Sequence, residues 1–169
     1  MHWKQSKNLQ DGKMRFSKFN KILILFLFTF FVFIMDFILK TIFYNKNSLI
    51  FTYLQNRGAL FGLFEGYLIG IIISSVLFAV ILFLAYLYLN EILKSKFVKK
   101  LVKNDKSLKK CNFALILLFA GTVSNLIDRL VYGYVRDYVS IWKFPVFNLA
   151  DISIFVGAGM LIFLIFDLD

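Results

Sequence analysis

Four apolar runs, from about Ile22 to Thr41, Tyr67 to Leu89, Cys111 to Val131 and Leu149 to Phe166, limit this chain more than anything else in it. Each is close to the roughly 20 residues that a tilted helix needs to cross about 30 Å of hydrocarbon. Lipid offers no partner to an open backbone group, so helices are the expected form. The alternative, a barrel, would need many alternating ten-residue segments, and these are absent. Hydrophobic residues make up 60% of the 169 and charged ones only 18%, more apolar surface than a soluble domain of this size can bury. With one Cys and one Pro, a disulfide scaffold and collagen are excluded too. The reading is an all-α integral membrane protein of four transmembrane helices.

Charge orients it. Twenty basic residues stand against ten acidic, and fourteen of the basic ones fall in residues 1–21 and 90–110. Both blocks lie outside the apolar runs on one side of the membrane, and the excess of Lys and Arg makes that side cytoplasmic. Contact with anionic membrane lipids accounts for them, and no aromatic stacking pattern points to nucleic acid. Residues 1–21 are therefore read as a basic cytoplasmic tail and 22–169 as the membrane domain. Both termini are expected inside, with segments 42–66 and 132–148 outside. The first run resembles a signal peptide in its flanks but lacks a cleavage site of the A-x-A kind, so an uncleaved anchor is expected. The second run is uncharged while the other three each carry a carboxylate, which argues against an inverted-repeat transporter.

Little chemistry is left. The only histidine is His2, so a Ser-His triad and a histidine metal site are unavailable. The only cysteine, Cys111, has no histidine to activate it. There is no P-loop and no dinucleotide fingerprint. A hydrolase built from this sequence must use carboxylates, a chemistry that needs no metal or organic cofactor.

Asp36, Asp128, Asp137 and Asp151 gather near the outer side. Asp137 falls just past the outer end of the third helix, and Asp151 opens the fourth at a similar depth. Ionisable groups there are costly and point to function. Each also has a plainer reading. Asp151 suits the first turn of a helix that begins at Asn148. Asp137 suits a solvated loop acid paired with Arg136. Asp36 and Lys40 are spaced i,i+4, suiting a pair with each other or with headgroups. Asp128 and Arg129 suit an ion pair at a helix end. Leu49 to Tyr53 reads as a short strand with Asn56-Arg57-Gly58 as its turn, a small outward β element between helices one and two.

The order of the motifs settles more than any one of them. Asn56-Arg57-Gly58-Ala59-Leu60-Phe61-Gly62 resembles the N-x-G-A-x-F motif of the lipoprotein signal peptidase (signal peptidase II) family. Asn125-Leu126-Ile127-Asp128-Arg129, followed by Gly133, Val135 and Asp137, is similar to its GN-x-x-DR…G-x-V-x-D motif. Phe147-Asn148-Leu149-Ala150-Asp151 matches FN-x-AD, and Asp36 to Lys40 is similar to the D-x-x-x-K element. Ser124 stands where the family usually has Gly, Tyr138 where Phe commonly follows the acid, and Leu60 at a position often small.

This resemblance implies an aspartic endopeptidase of the bacterial cytoplasmic (inner) membrane. It would remove signal peptides from diacylglyceryl-modified prolipoproteins, cutting just before the lipidated cysteine at the outer face. Asp137 and Asp151 are the implied catalytic pair, with Asn56, Gly58, Asn125, Asp128, Arg129 and Asn148 shaping the site. Asn56 and Arg129 are candidate donors to substrate carbonyls, and Asn125 and Asp128 are candidates to hold Arg129. Residues Val139 to Phe144 are read as either a cover over the site or a fixed loop. A monomer is expected. Among rival readings, a channel lacks a charged path through the second helix. The GxGD type of aspartyl protease fails because Met160 follows Gly159. A Ser140–Lys143 pair lacks a domain to desolvate the lysine.

Overall fold

The computed structural model describes residues 2–59, 63–92 and 105–166. In chain order these form α1 (His2–Ile42), β1 (Phe51–Asn56), α2 (Leu68–Ile92), α3 (Asp105–Tyr132), β2 (Val135–Val139) and α4 (Leu149–Phe166). The helices contain four stretches long and apolar enough to span: Phe19–Ile42, Leu68–Tyr88, Lys106–Tyr132 and Leu149–Phe166. They coincide with the four apolar runs. Helical backbone extends N-terminally from the first of them back to His2, through the basic segment. Leu60, Phe61 and Gly62 of the first motif, and residues 93–104 of the second basic block, lie outside the described residues.

α3 is the central helix. Its span is 67% buried, against 22%, 17% and 22% for the other three. α4, α2 and α1 all pack on it. Leu25 from α1, Leu82 and Tyr86 from α2, and Leu115, Ile116 and Leu118 from α3 form the core cluster. The Tyr86 hydroxyl, buried in this apolar setting, donates to the Lys21 carbonyl at 3.1 Å. The outward faces stay apolar, with Phe30, Ile69, Leu77, Phe155 and Phe163 exposed, as a lipid solvent requires. Small residues let α3 and α4 approach closely. A methyl group on Gly121 would collide with the Ala150 carbonyl and the Ile154 side chain, and one on Gly157 with the Ala114 carbonyl and Leu118.

At one end of the bundle, β1 pairs antiparallel with β2, setting Leu54 opposite Asp137, Gln55 opposite Arg136 and Asn56 opposite Val135. The partner of the expected strand thus comes from the segment between α3 and α4, and the strand runs three residues further than Tyr53. Gly133, at φ +78°, turns the chain from α3 into β2. Four of the five residues of β2 are buried. Successive side chains of a strand point to opposite faces, so Asp137 faces one way and Arg136 and Tyr138 the other.

Candidate active site

The site begins at the start of α4. Asn148 caps that helix in the reciprocal way: its side-chain oxygen accepts from the Asp151 amide at 2.9 Å, while its own amide donates to Asp151 Oδ2 at 3.2 Å. Its Nδ2 remains free to reach sideways. It donates to Asp137 Oδ1 at 2.6 Å and to Asn125 Oδ1 at 3.1 Å. Asn125, on α3, donates in turn to Asp151 Oδ1 at 2.7 Å. On the far side of Asp137, Asn56 Nδ2 donates to Oδ2 at 3.0 Å. Asp137 and Asp151 are therefore brought together by three asparagines from β1, α3 and the cap of α4.

These partners are neutral amides, which orient a carboxylate without cancelling its charge. Burial and, after it, the neighbouring Asp151 together push the Asp137 carboxyl up to about 7, outweighing the opposing bonds from Asn56 and Asn148. Asp137 is only 1% exposed, whereas Asp151 and Arg129 are half-buried. The open side of the pair is therefore the Asp151 side. Asn56 also shapes the turn after β1, where its Oδ1 accepts from the Gly58 amide at 3.0 Å. Arg129 fastens that turn to α3, with Nη2 donating to the Gly58 carbonyl at 3.0 Å. Its Nε is buried without a partner among the described residues.

A second polar cluster lies behind the first. Lys40 Nζ sits 2.5 Å from Asp36 and 3.0 Å from Asp128. Arg136 Nη2 reaches Asp128 Oδ1 at 2.8 Å, and its backbone amide donates to Asp128 Oδ2 at 3.0 Å. Its guanidinium also lies over the Tyr132 ring, 4.3 Å from the centroid. Ser124 donates to Asp36 at 2.8 Å. Three readings change. Asp128 pairs with Lys40 and Arg136, not with Arg129. Asn125 engages Asp151 and Asn148 and does not hold Arg129. Asp137 is no solvated loop acid paired with Arg136. The i,i+4 spacing of Asp36 and Lys40 signalled their pair. No pattern in the sequence signalled Arg136, Ser124 or Tyr138 as members of this cluster.

The chain matches the family described as Signal peptidase (SPase) II over residues 28–167. It is 35% identical over 129 residues to the lipoprotein signal peptidase of Clostridium tetani, covering 73% of each chain. With that of Caldicellulosiruptor bescii it shares 41% over 114 residues, which is 68% of this chain and 65% of the relative. Its fold is similar to that of a bacterial membrane enzyme solved by the in meso method at 2.3 Å resolution, with a TM-score of 0.67 at 24% identity, covering 85% of this chain and 88% of that one. The matched stretch holds three of the four spans whole, the first from residue 28 onward, and both buried clusters, and the chain belongs to the signal peptidase II family.

Proposed function

We propose that this membrane-embedded signal peptidase II works as an aspartyl endopeptidase on prolipoproteins, cutting just before a cysteine that carries diacylglycerol. The observation that supports this most is the shared Asn148, which holds two carboxylates of different elements together while leaving their charges uncancelled. Two such acids cannot both ionise cheaply, so one keeps a proton. The more deeply buried Asp137, held up to about 7, is the proton holder below neutrality. Asp151, on the open side, is the base.

In this mechanism Asp151 takes a proton from a water as its oxygen attacks the scissile carbonyl. Asp137 gives its proton to the carbonyl oxygen, so the tetrahedral intermediate forms without a free oxyanion. On collapse the C–N bond breaks, Asp151 passes its proton to the leaving amine, and the intermediate's hydroxyl returns one to Asp137. The pair is back where it began. The unpartnered Nε of Arg129 is a donor for a substrate backbone carbonyl. Asn56 and Asn125 serve the acids themselves.

Lipidation supplies position. Each buried CH₂ contributes about 0.8 kcal/mol, but a diacylated precursor already holds most of that energy in the free membrane. The chains therefore fix the depth of the scissile bond more than they add affinity. The reading takes 22–169 as the peptidase unit and 1–21 as its basic cytoplasmic tail, acting as a monomer with both termini inside and the acids at the outer face. The test is cleavage of matched diacylated and unacylated precursors by purified enzyme, with Asp137→Asn and Asp151→Asn alongside. Both variants should lose turnover, and the unacylated precursor should show a lower kcat as well as a higher KM. Near wild-type cleavage by either variant refutes the pair, and equal kcat/KM for the two precursors refutes positioning by lipid.

A further inference from the structure

We propose that Tyr138 is a positioning residue for the two acids: its hydroxyl fixes the start of α4 against α1 and so sets the separation of Asp137 and Asp151. The inference rests on those two acids being the reacting pair.

The first N–H groups of a helix have no partner within it. Asn148 serves the amide of Asp151, and the Tyr138 hydroxyl serves that of Leu149, accepting at 3.1 Å. The hydroxyl's own proton points to Asp36 Oδ1 at 3.5 Å. Asp36 is a fixed anchor, fully buried and held by Lys40 and Ser124. The ring is equally fixed. It is 2% exposed and lies nearly parallel to Phe43, 5.5 Å away at 14°, and Phe43 stacks on Phe51 of β1 at 3.9 Å and 10°. One phenol thus joins α1, β2 and α4.

Its place in the sequence gives that junction its consequence. Tyr138 directly follows Asp137, and Leu149 stands two residues before Asp151. The chain between them is closed at its neck by Val139 and Phe147, whose amides donate to each other's carbonyls at 2.8 and 3.0 Å. The neck brings α4 near, and the hydroxyl sets the seat of its first turn. Only with that turn seated can Asn148 reach Asp137 at 2.6 Å while capping Asp151. A phenylalanine at 138 would keep ring and stack and lose both hydroxyl contacts, leaving the half-buried Leu149 amide unserved.

The test compares Tyr138→Phe with wild type in the full-length enzyme in bicelles, on a diacylated precursor, measuring kcat, KM and the pH profile of kcat. Misplacement by a fraction of an ångström to about 1 Å costs roughly 10- to 100-fold, and that fall is expected in kcat with KM within about twofold. The alkaline limb of the profile should also move to lower pH, because Asp151 acts more weakly on Asp137 from further off while the other charges facing it, Lys40 of α1 and Arg129 of α3, stay in place. A purely structural role would lower the unfolding midpoint or the yield and leave the profile unmoved, and that result overturns the proposal. If Tyr138→Phe does not fold, Phe43→Leu takes its place. It loosens the ring and keeps the hydroxyl, so the same changes in smaller measure support the proposal and an unmoved profile overturns it. Asp137→Asn is assayed in parallel. A dead Asp137→Asn beside an unchanged Tyr138→Phe overturns positioning alone, whereas an active Asp137→Asn overturns the pair on which it rests.

Discussion

Replacing Asp137 with asparagine should leave stability nearly unchanged at pH 5 and raise it at pH 8. Its carboxyl titrates at about 7 in the folded protein against an ordinary 3.8, so between those values the folded state holds a proton that the unfolded state has released. The unfolding free energy therefore falls as pH rises from about 4 to about 7, and above 7 the whole cost is present. At roughly 1.4 kcal/mol per pH unit that cost is about 4 kcal/mol. Asparagine never carries it. It does bring an NH₂ where one oxygen accepted, facing either Asn148 or Asn56, both of which donate to Asp137. An unsatisfied buried donor costs about 1–3 kcal/mol at any pH. At pH 5 only the first part of the charge cost, roughly 1.6 kcal/mol, is present, so the variant should lie within about 1 kcal/mol of wild type. At pH 8 the whole cost is present and the variant should be more stable by about 1–3 kcal/mol, though without turnover. Reversible unfolding in mixed micelles at the two pH values, followed by tryptophan fluorescence or circular dichroism, reads the difference. A stability gap of the same sign and size at pH 5 and pH 8 would mean that Asp137 is not the proton-holding acid.

Lys40→Met should destabilise by about 3–5 kcal/mol, because it leaves Asp36 and Asp128 buried with one cation, Arg136, for two charges. A Met variant as stable as wild type would show that the lysine is dispensable there. Gly121→Val should separate α3 from α4 and lower the unfolding midpoint by several degrees, whereas Gly159→Ala, whose added methyl meets nothing within 4 Å, should be nearly neutral; equal effects would refute the close-contact argument. Cysteine placed at Asn47 or Ser140 should react with an impermeant thiol reagent added outside intact cells, and cysteine at Ser107 should not. The opposite pattern reverses the orientation.

The spans were legible because lipid leaves a simple signature, a long run with few charges. The asparagines and acids were legible only as ordered motifs, since each has a plain structural use. What the sequence hid was pairing at a distance. Asp128 and Arg129 are neighbours in the chain, but consecutive helical residues point about 100° apart, so adjacency in a helix keeps their side chains apart. Arg136 comes back to Asp128 only because the chain turns at Gly133 and runs on as a strand. That strand was hidden as well. Val-Arg-Asp-Tyr-Val is buried on both faces, so its polar residues break the alternation by which a half-buried strand is read.

The two buried clusters explain each other through their charge. Behind the strand, Asp36 and Asp128 meet Lys40 and Arg136, two anions against two cations, at distances of 2.5 to 3.0 Å. In front, Asp137 and Asp151 meet only amides, apart from Arg129, which spends its Nη2 on the Gly58 carbonyl. A charge-balanced cluster is held in place by its own ion pairs, which is what an anchor requires. A pair of acids with amide partners keeps its mutual repulsion and holds one proton between two, which is what proton transfer requires. The alternation of β2 sends Arg136 to the first and Asp137 to the second, so consecutive residues of one strand hold the anchor and the proposed reacting group in fixed relation. An ion partner of equal strength for Asp137 would stabilise its charged form and remove the proton that the proposed mechanism has it give.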